Sequence, residues 1–424
     1  MSILIKGATI ATQNNAREII KGDILVEENK IVSVSPEIDE KTEFVIDASG
    51  KIAIPGLVNT HTHVGMTILR GYCDDLPLHE WLRDKIWPIE AKQTAEDAGV
   101  AAKLAFCEMI LGGTTSFADM CLHDPGYVFE AAEKAGIRGM IARGLMDFRN
   151  ADWIPKVMKE LEKSVDYGGA RVRPSVACHA PYTCSEELLR KAKALAKSRG
   201  LRFQIHVSET RKEIFDVLKF TGKYPYEYLD SIGVMDEHSI FAHGGWLTKK
   251  EIGLAGRKKL TVANCPVSSL KLATGGIAQI AELDAAGANV SLGSDGAASN
   301  NCLDMFESMK MAALLQKHHY WKADVMSAQK AFDFATINGA KAIGFDCGSI
   351  APGKLADIVL LEKGPNMAPV HDLVANIVYS AGPQNVSDVI IDGKTVLRNR
   401  ALLTMDEEKI IEEAEKSVRD LFSG

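Results

Sequence analysis

The chain has 424 residues, 46% of them hydrophobic and 25% charged, with a formal net charge of −7. That length accommodates a large core plus a smaller unit, and the ordinary globular composition excludes a fibrous or disordered chain. The acidic balance, with no basic cluster, argues against nucleic acid or an anionic membrane surface as a partner.

The first residues, "MSILIKGATIATQNN", lack the basic and apolar regions of a secretory leader, and no later stretch is apolar enough to span a bilayer. Eight scattered cysteines form no CxxC pair. Free thiols in a reducing cytoplasm are therefore expected. "ILIKGATIAT", "GDILVEENKIVSVSP" and "EFVIDASGKIAIPG" are short β-rich runs broken by turn residues, which predicts hairpins. Near the other end "ADIVLLEK", "ANIVYSAG" and "VSDVIIDGKTVLRN" repeat the style, and Asp392-Gly393 favours a type I′ turn. Residues 1–55 and 346–424 are thus expected to build one small β-sandwich from both termini, with a last helix over "DEEKIIEEAEKSVRDLFS".

Between them, residues 56–345 alternate. Strands are predicted at "GLVNTHTH", "TTSFAD", "IRGMIARG", "RPSVACHA", "RFQIHVSE", "SIFAHG", "KLTVANC" and "NVSLGSDG". Helical stretches separate them, such as "SEELLRKAKALAKSRG" with Ser185 as N-cap and Gly200 as C-cap. Eight strand–helix units in about 250 residues predict an α/β fold, a closed (β/α)₈ TIM-like barrel. An open doubly wound sheet would favour a Gly-rich phosphate loop after its first strand, and none is present. The amphipathic helices near the C-terminus, including "VMSAQKAFDFATINGAKAIG", face either the core or another subunit.

In such a barrel function gathers where strands end. The first strand ends with His61 and His63, the fourth with His179, the fifth with His206, the sixth with His243 and the eighth with Asp295; five of the eleven histidines take such positions. A lone HxH is a weak motif, but scattered core histidines have no reason to converge this way. Alternate residues of a strand face one side, so His61 and His63 read as a two-toothed metal clamp. Imidazole suits Zn²⁺ or Fe²⁺, and a hydrolytic site keeps one position open for water. His206 and Asp295 would complete the shell, and Asp295 could take the water's proton. Glu209, three residues past His206, reads either as a solvated surface glutamate or as a proton shuttle. His243 would steady the attacking water electrostatically. Trp81 and Trp87 read as core or as walls of a ring pocket. Asp74 and Asp75 read as solvated or as part of a closing loop. Cys178 reads as packing, and Arg143, ending the third strand, as a candidate substrate contact.

"PGLVNTHTHVGMTILRGYCDDLPLHEWLRDKIWPIEA", "SVACHAPYTCS", "FQIHVSET", "FAHGGWL" and "SLGSDGAASNN" carry a resemblance over essentially the whole chain. In order, they resemble the strand-end motifs of the amidohydrolase superfamily, in its mononuclear adenosine-type branch. The nearest likeness is to the deaminases of 5′-methylthioadenosine and S-adenosylhomocysteine and to archaeal 5′-deoxyadenosine deaminases. The resemblance implies His61, His63, His206 and Asp295 as ligands of one divalent metal ion per subunit, Zn²⁺ or Fe²⁺. It implies Glu209 as the group that protonates the purine and His243 as the histidine near the catalytic water. Glu90 would bind the ribose hydroxyls and His179 the substrate. The fourth strand ends without the lysine that bridges two metals in another branch, which favours a single ion. The expected reaction is hydrolytic deamination of an adenosine-type nucleoside to its inosine analogue, by a homo-oligomer, dimer or tetramer. Guanine deamination, triazine hydrolysis and a non-catalytic scaffold are the alternatives.

Overall fold

The computed structural model describes residues 1–423. Eight parallel strands follow one another in chain order: Leu57–Thr62, Thr114–Cys121, Arg138–Leu145, Val176–Cys178, Phe203–Val207, Ser239–His243, Thr261–Asn264 and Asn289–Leu292. The first and last meet: the Thr60 hydroxyl donates to the Leu292 carbonyl at 2.8 Å and the Asp295 N–H to the His61 carbonyl at 3.0 Å. The barrel so closed has strands covered on both faces, as the unbroken burial of Leu57–Thr62 shows, because crossover helices shield a parallel sheet from outside. The helix Glu186–Arg199 has the expected ends, with the Ser185 side chain accepting the Leu188 N–H and Gly200 left-handed at φ +65°.

Both termini meet in one nine-stranded mixed sheet. Strand Ser2–Ala11 runs antiparallel to Ile19–Glu27, and its register breaks between Ile5 and Ala8, where Gly7 is left-handed at φ +74°. On its other edge the first half pairs with Phe44–Asp47 and the second half with Ile52–Pro55. The sheet therefore branches at that bulge, and Ile52–Pro55 hands it on to Ile358–Leu361 from the C-terminal part. Ile5, Ile10, Ile24, Ile358 and Ile390 fill its own core. The hairpin between Val386–Ile391 and Lys394–Arg398 turns at Asp392 and Gly393, with φ of +54° and +71°. Two left-handed central residues are what a type I′ turn requires.

Arg138, at the start of the third barrel strand, joins barrel to sheet. Its guanidinium is 2% exposed and donates to both Asp357 oxygens at 2.7 and 3.1 Å and to Asp392 Oδ1 at 2.7 Å. Removing one member of a buried ion cluster strands the others in low dielectric. Arg138→Ala is expected to lose about 3–5 kcal/mol of unfolding free energy in urea titration, and Asp357→Asn less.

The last helix, Glu407–Ser423, buries Ile410, Ala414 and Leu421. It lies against the helix Ala95–Leu111, with the Ser417 hydroxyl donating to Asp97 Oδ1 at 2.6 Å, so its apolar stripe faces its own chain. Among the described residues no helix is long and apolar enough to cross a membrane, and the eight cysteines are free thiols.

Candidate metal centre and active site

The C-terminal ends of the barrel strands bring His61, His63 and His206 together, with one ligand nitrogen of each within 4.8 Å of the others. Their hydrogen bonds fix the tautomers. His63 Nδ1 lies 2.7 Å from the Met120 carbonyl and His206 Nδ1 2.7 Å from the His179 carbonyl. A carbonyl only accepts, so both Nδ1 atoms carry the proton and both Nε2 atoms present lone pairs. Those two Nε2 atoms face each other at 3.2 Å, and His61 Nε2 is buried with no partner. Burial, and then the neighbouring histidines, hold His61 and His206 well below the ordinary imidazole range. Three imidazole nitrogens converge on one point, an arrangement that is favourable only with a cation among them. The donor set therefore fits a divalent metal ion.

Asp295 stands at the edge of this cluster, Oδ1 being 3.4 Å from His63 Nε2 and 3.8 Å from His61 Nε2. Burial opposes its charge, but His63, His243, His61 and the Gly296 N–H together bring its carboxyl below the usual range. The backbone here is sharply turned, with His243 at φ +76° and Asp295 at +64°. Gly293 and Gly296 flank Asp295 because there is no room for more: a Cβ on the first would lie 2.8 Å from His61 Cβ, and on the second 3.0 Å from His63 Cβ.

His63, His206 and Asp295 line a cavity that also takes in Glu90, His179, Glu209 and His243. Glu209 is buried rather than solvated, 7% exposed, with Oε2 3.8 Å from His243 Nε2. Burial, with Asp295 and Glu213 nearby, pushes its carboxyl well above the ordinary range. His243 and His179 are held down to about 4 and about 3, chiefly by burial, and so are neutral. His179 Nδ1 pairs with the Thr183 hydroxyl at 2.8 Å. Glu90 is raised to about 8 by burial alone.

Trp81 and Trp87 both line the cavity, Trp87 edge-on to His179 at 6.3 Å between ring centres. Arg143 does not: its guanidinium pairs with Glu160 at 3.0 Å in a neighbouring depression bordered by Leu122 and Phe148. Asp74 is tied to Lys271 and Asp75 is exposed. Cys178 is fully buried, and burial raises its thiol far above ordinary values, which leaves it inert.

Sequence reasoning missed several lining residues, Gln93, Tyr182, Ser299 and His123 among them. The second strand continues to Cys121, past the predicted end at Asp119, which brings His123 to the rim; a strand-end reading with the right boundary would have found it. Also missed was Asp119, wholly buried and accepting the N–H of Val64, next to His63, at 2.8 Å.

A family model described as the amidohydrolase family matches residues 52–396. The 5′-deoxyadenosine deaminase of Methanothermobacter thermautotrophicus is 43% identical over 426 residues, covering 99% of each chain. The 5-methylthioadenosine/S-adenosylhomocysteine deaminase of Thermococcus onnurineus is 42% identical, covering 95% of each. A zinc-bound adenosine deaminase from Xanthomonas campestris superposes with a TM-score of 0.93 at 30% identity, covering 100% of this chain and 99% of its own. Sequence matched along nearly its whole length and a barrel superposed on the same architecture agree, and the chain belongs to the amidohydrolase family.

Proposed function

We propose that the protein is a metal-dependent hydrolytic deaminase of adenosine-type nucleosides, releasing ammonia and leaving the inosine analogue. The observation that carries this reading is a cluster of three converging imidazoles opening on a cavity that holds one carboxyl pushed up by burial and another drawn below the usual range. Full-length relatives named for 5′-deoxyadenosine and 5-methylthioadenosine/S-adenosylhomocysteine support the substrate class. His61, His63, His206 and Asp295 would hold one divalent ion, zinc as in the Xanthomonas structure, with Fe²⁺ chemically compatible. When bound it supplies Lewis-acid activation of water near neutral pH.

The chain's own groups then divide the proton work. Asp295 is ionised and accepts the proton of the attacking water. Glu209, whose carboxyl is pushed well above the ordinary range by burial, gives its proton to N1 of the purine, drawing electrons from C6 where attack occurs. His243 is neutral and orients the water from beside Glu209. The tetrahedral centre collapses as Asp295 passes its proton to the amino group, which leaves as ammonia, and the C6 hydroxyl proton returns to Glu209.

Glu90 would bind the ribose. Its carboxyl is 6% exposed, and burial is the one cause of its raised pKa, to about 8. A vicinal diol offers two O–H donors to such a group, and a charged acceptor strengthens both bonds. Trp81, Trp87 and His179 would wall the base. Glu90→Gln is expected to raise KM for nucleosides about 10-fold or more, at about 1.4 kcal/mol per tenfold, with little change for free adenine. Free-enzyme ionisations appear in kcat/KM. Because the favoured form of Glu90 is the ionised one, kcat/KM for ribosides should climb as pH rises through about 8, and the variant should lack that limb.

Ammonia release from 5′-deoxyadenosine, methylthioadenosine, S-adenosylhomocysteine, adenosine, guanine and a chlorotriazine, with metal content measured on the same sample, tests the assignment. Turnover confined to guanine or to the triazine would replace it with another heteroaromatic hydrolase, and no turnover by metal-replete protein would leave a scaffold.

A further inference from the structure

The helix Arg211–Thr221 starts just beyond Glu209, and its first turn has an unusual reach. Thr210, the N-cap, accepts the Glu213 N–H at 3.2 Å. In a capping box the acidic residue three positions on returns a bond to the N-cap's own N–H. Glu213 goes further back along the chain: Oε1 accepts the Ser208 N–H at 2.8 Å and Oε2 the Glu209 N–H at 2.9 Å. Its side chain is 1% exposed.

A cap at a helix end needs neither such burial nor two grips on the residues before the cap. The gripped segment is one that would not hold this shape unaided. Ser208 is left-handed at φ +57°, a conformation that strains a non-glycine residue and persists only where surroundings enforce it. The other side is pinned as well. The Ser208 carbonyl accepts the Trp246 N–H at 3.0 Å, and the Thr210 hydroxyl meets His79 Nε2 at 3.1 Å. Glu213 thus supplies the carboxyl side of a clamp around the loop that aims Glu209 into the cavity.

We propose that Glu213 is a positioning residue, whose two carboxyl oxygens fix the main chain of Ser208 and Glu209 and so the place where the Glu209 carboxyl meets the purine. This rests on the reading of Glu209 as the proton donor. Displacement of a reacting group by about 1 Å costs about 10²-fold in rate, so a slack clamp acts on turnover without touching substrate.

The test is a double-mutant cycle on the metal-replete full chain with 5′-deoxyadenosine: wild type, Glu213→Gln, Glu209→Gln and both together, each with metal content and thermal midpoint measured. The amide keeps the size of the side chain but turns an NH₂ group toward one of the two N–H donors. For Glu213→Gln, kcat is expected to fall about 10–100-fold with KM within about 3-fold and metal content unchanged. Added to Glu209→Gln, the same change should cost under about 2-fold, because no donor is left to place. Full multiplicative loss in the double variant, or loss confined to KM or metal content, overturns the positioning role. So does wild-type kcat in Glu213→Gln beside an impaired Glu209→Gln. Wild-type kcat in Glu209→Gln would instead overturn the donor assignment, and this inference with it. If Glu213→Gln does not accumulate folded, Thr210→Val removes the hydroxyl that holds the Glu213 N–H and enters the same cycle with the same expectations.

Discussion

Glu209→Gln is expected to lower kcat on 5′-deoxyadenosine by about 10²–10⁴-fold, the usual worth of a positioned proton-transfer group, while metal content stays at the wild-type level. The carboxyl and the amide have the same size, and burial, with the charges of Asp295 and Glu213, already favours the neutral form of Glu209. The substitution therefore removes a transferable proton and little else. His243 Nε2, 3.8 Å away, loses no close hydrogen bond. Metal analysis beside steady-state kinetics separates the possibilities: a variant that loses its metal would make Glu209 a ligand. Because the proton is needed in the transition state, kcat should carry the effect and KM should move little.

Stripping the metal with a chelator is expected to abolish turnover, by at least about 10³-fold, since activation of water contributes several kcal/mol. Zinc added back should restore it. The same treatment should lower the thermal midpoint, because an ion that binds only the folded chain stabilises it by mass action. The physical ground is the approach of the His63 and His206 Nε2 lone pairs to 3.2 Å, which repel once the cation is gone. His206→Ala should reproduce both effects and resist rescue by added zinc. Retained activity after exhaustive chelation would remove the metal from the reaction altogether.

Much of the site was readable because it is written in local geometry. Alternation along Leu57–Thr62 puts His61 and the adjoining His63 on one side whatever the rest of the chain does. The run of strand and helix units leaves a closed parallel barrel as the economical arrangement, and its strand ends then gather His206, His243 and Asp295 without further information. Arg143 shows the limit of that logic. It also ends a barrel strand, yet it opens into the next depression, against Glu160, since which way a strand-end side chain leaves the rim depends on the loops around it.

What the amino-acid order determined by itself was the set of elements, the barrel and the identity of the converging histidines, because these follow from short-range periodicity and backbone stereochemistry. Only the tertiary structure decided their chemical state. The tautomers of His63 and His206 depend on carbonyls 57 and 27 residues away. The protonation of Glu209 and Glu90 depends on how much water the assembled walls exclude. Likewise the branching of the terminal sheet at Gly7 joins segments from opposite ends of the chain. Desolvation and lone-pair direction are properties of a packed neighbourhood, and a neighbourhood exists only after folding.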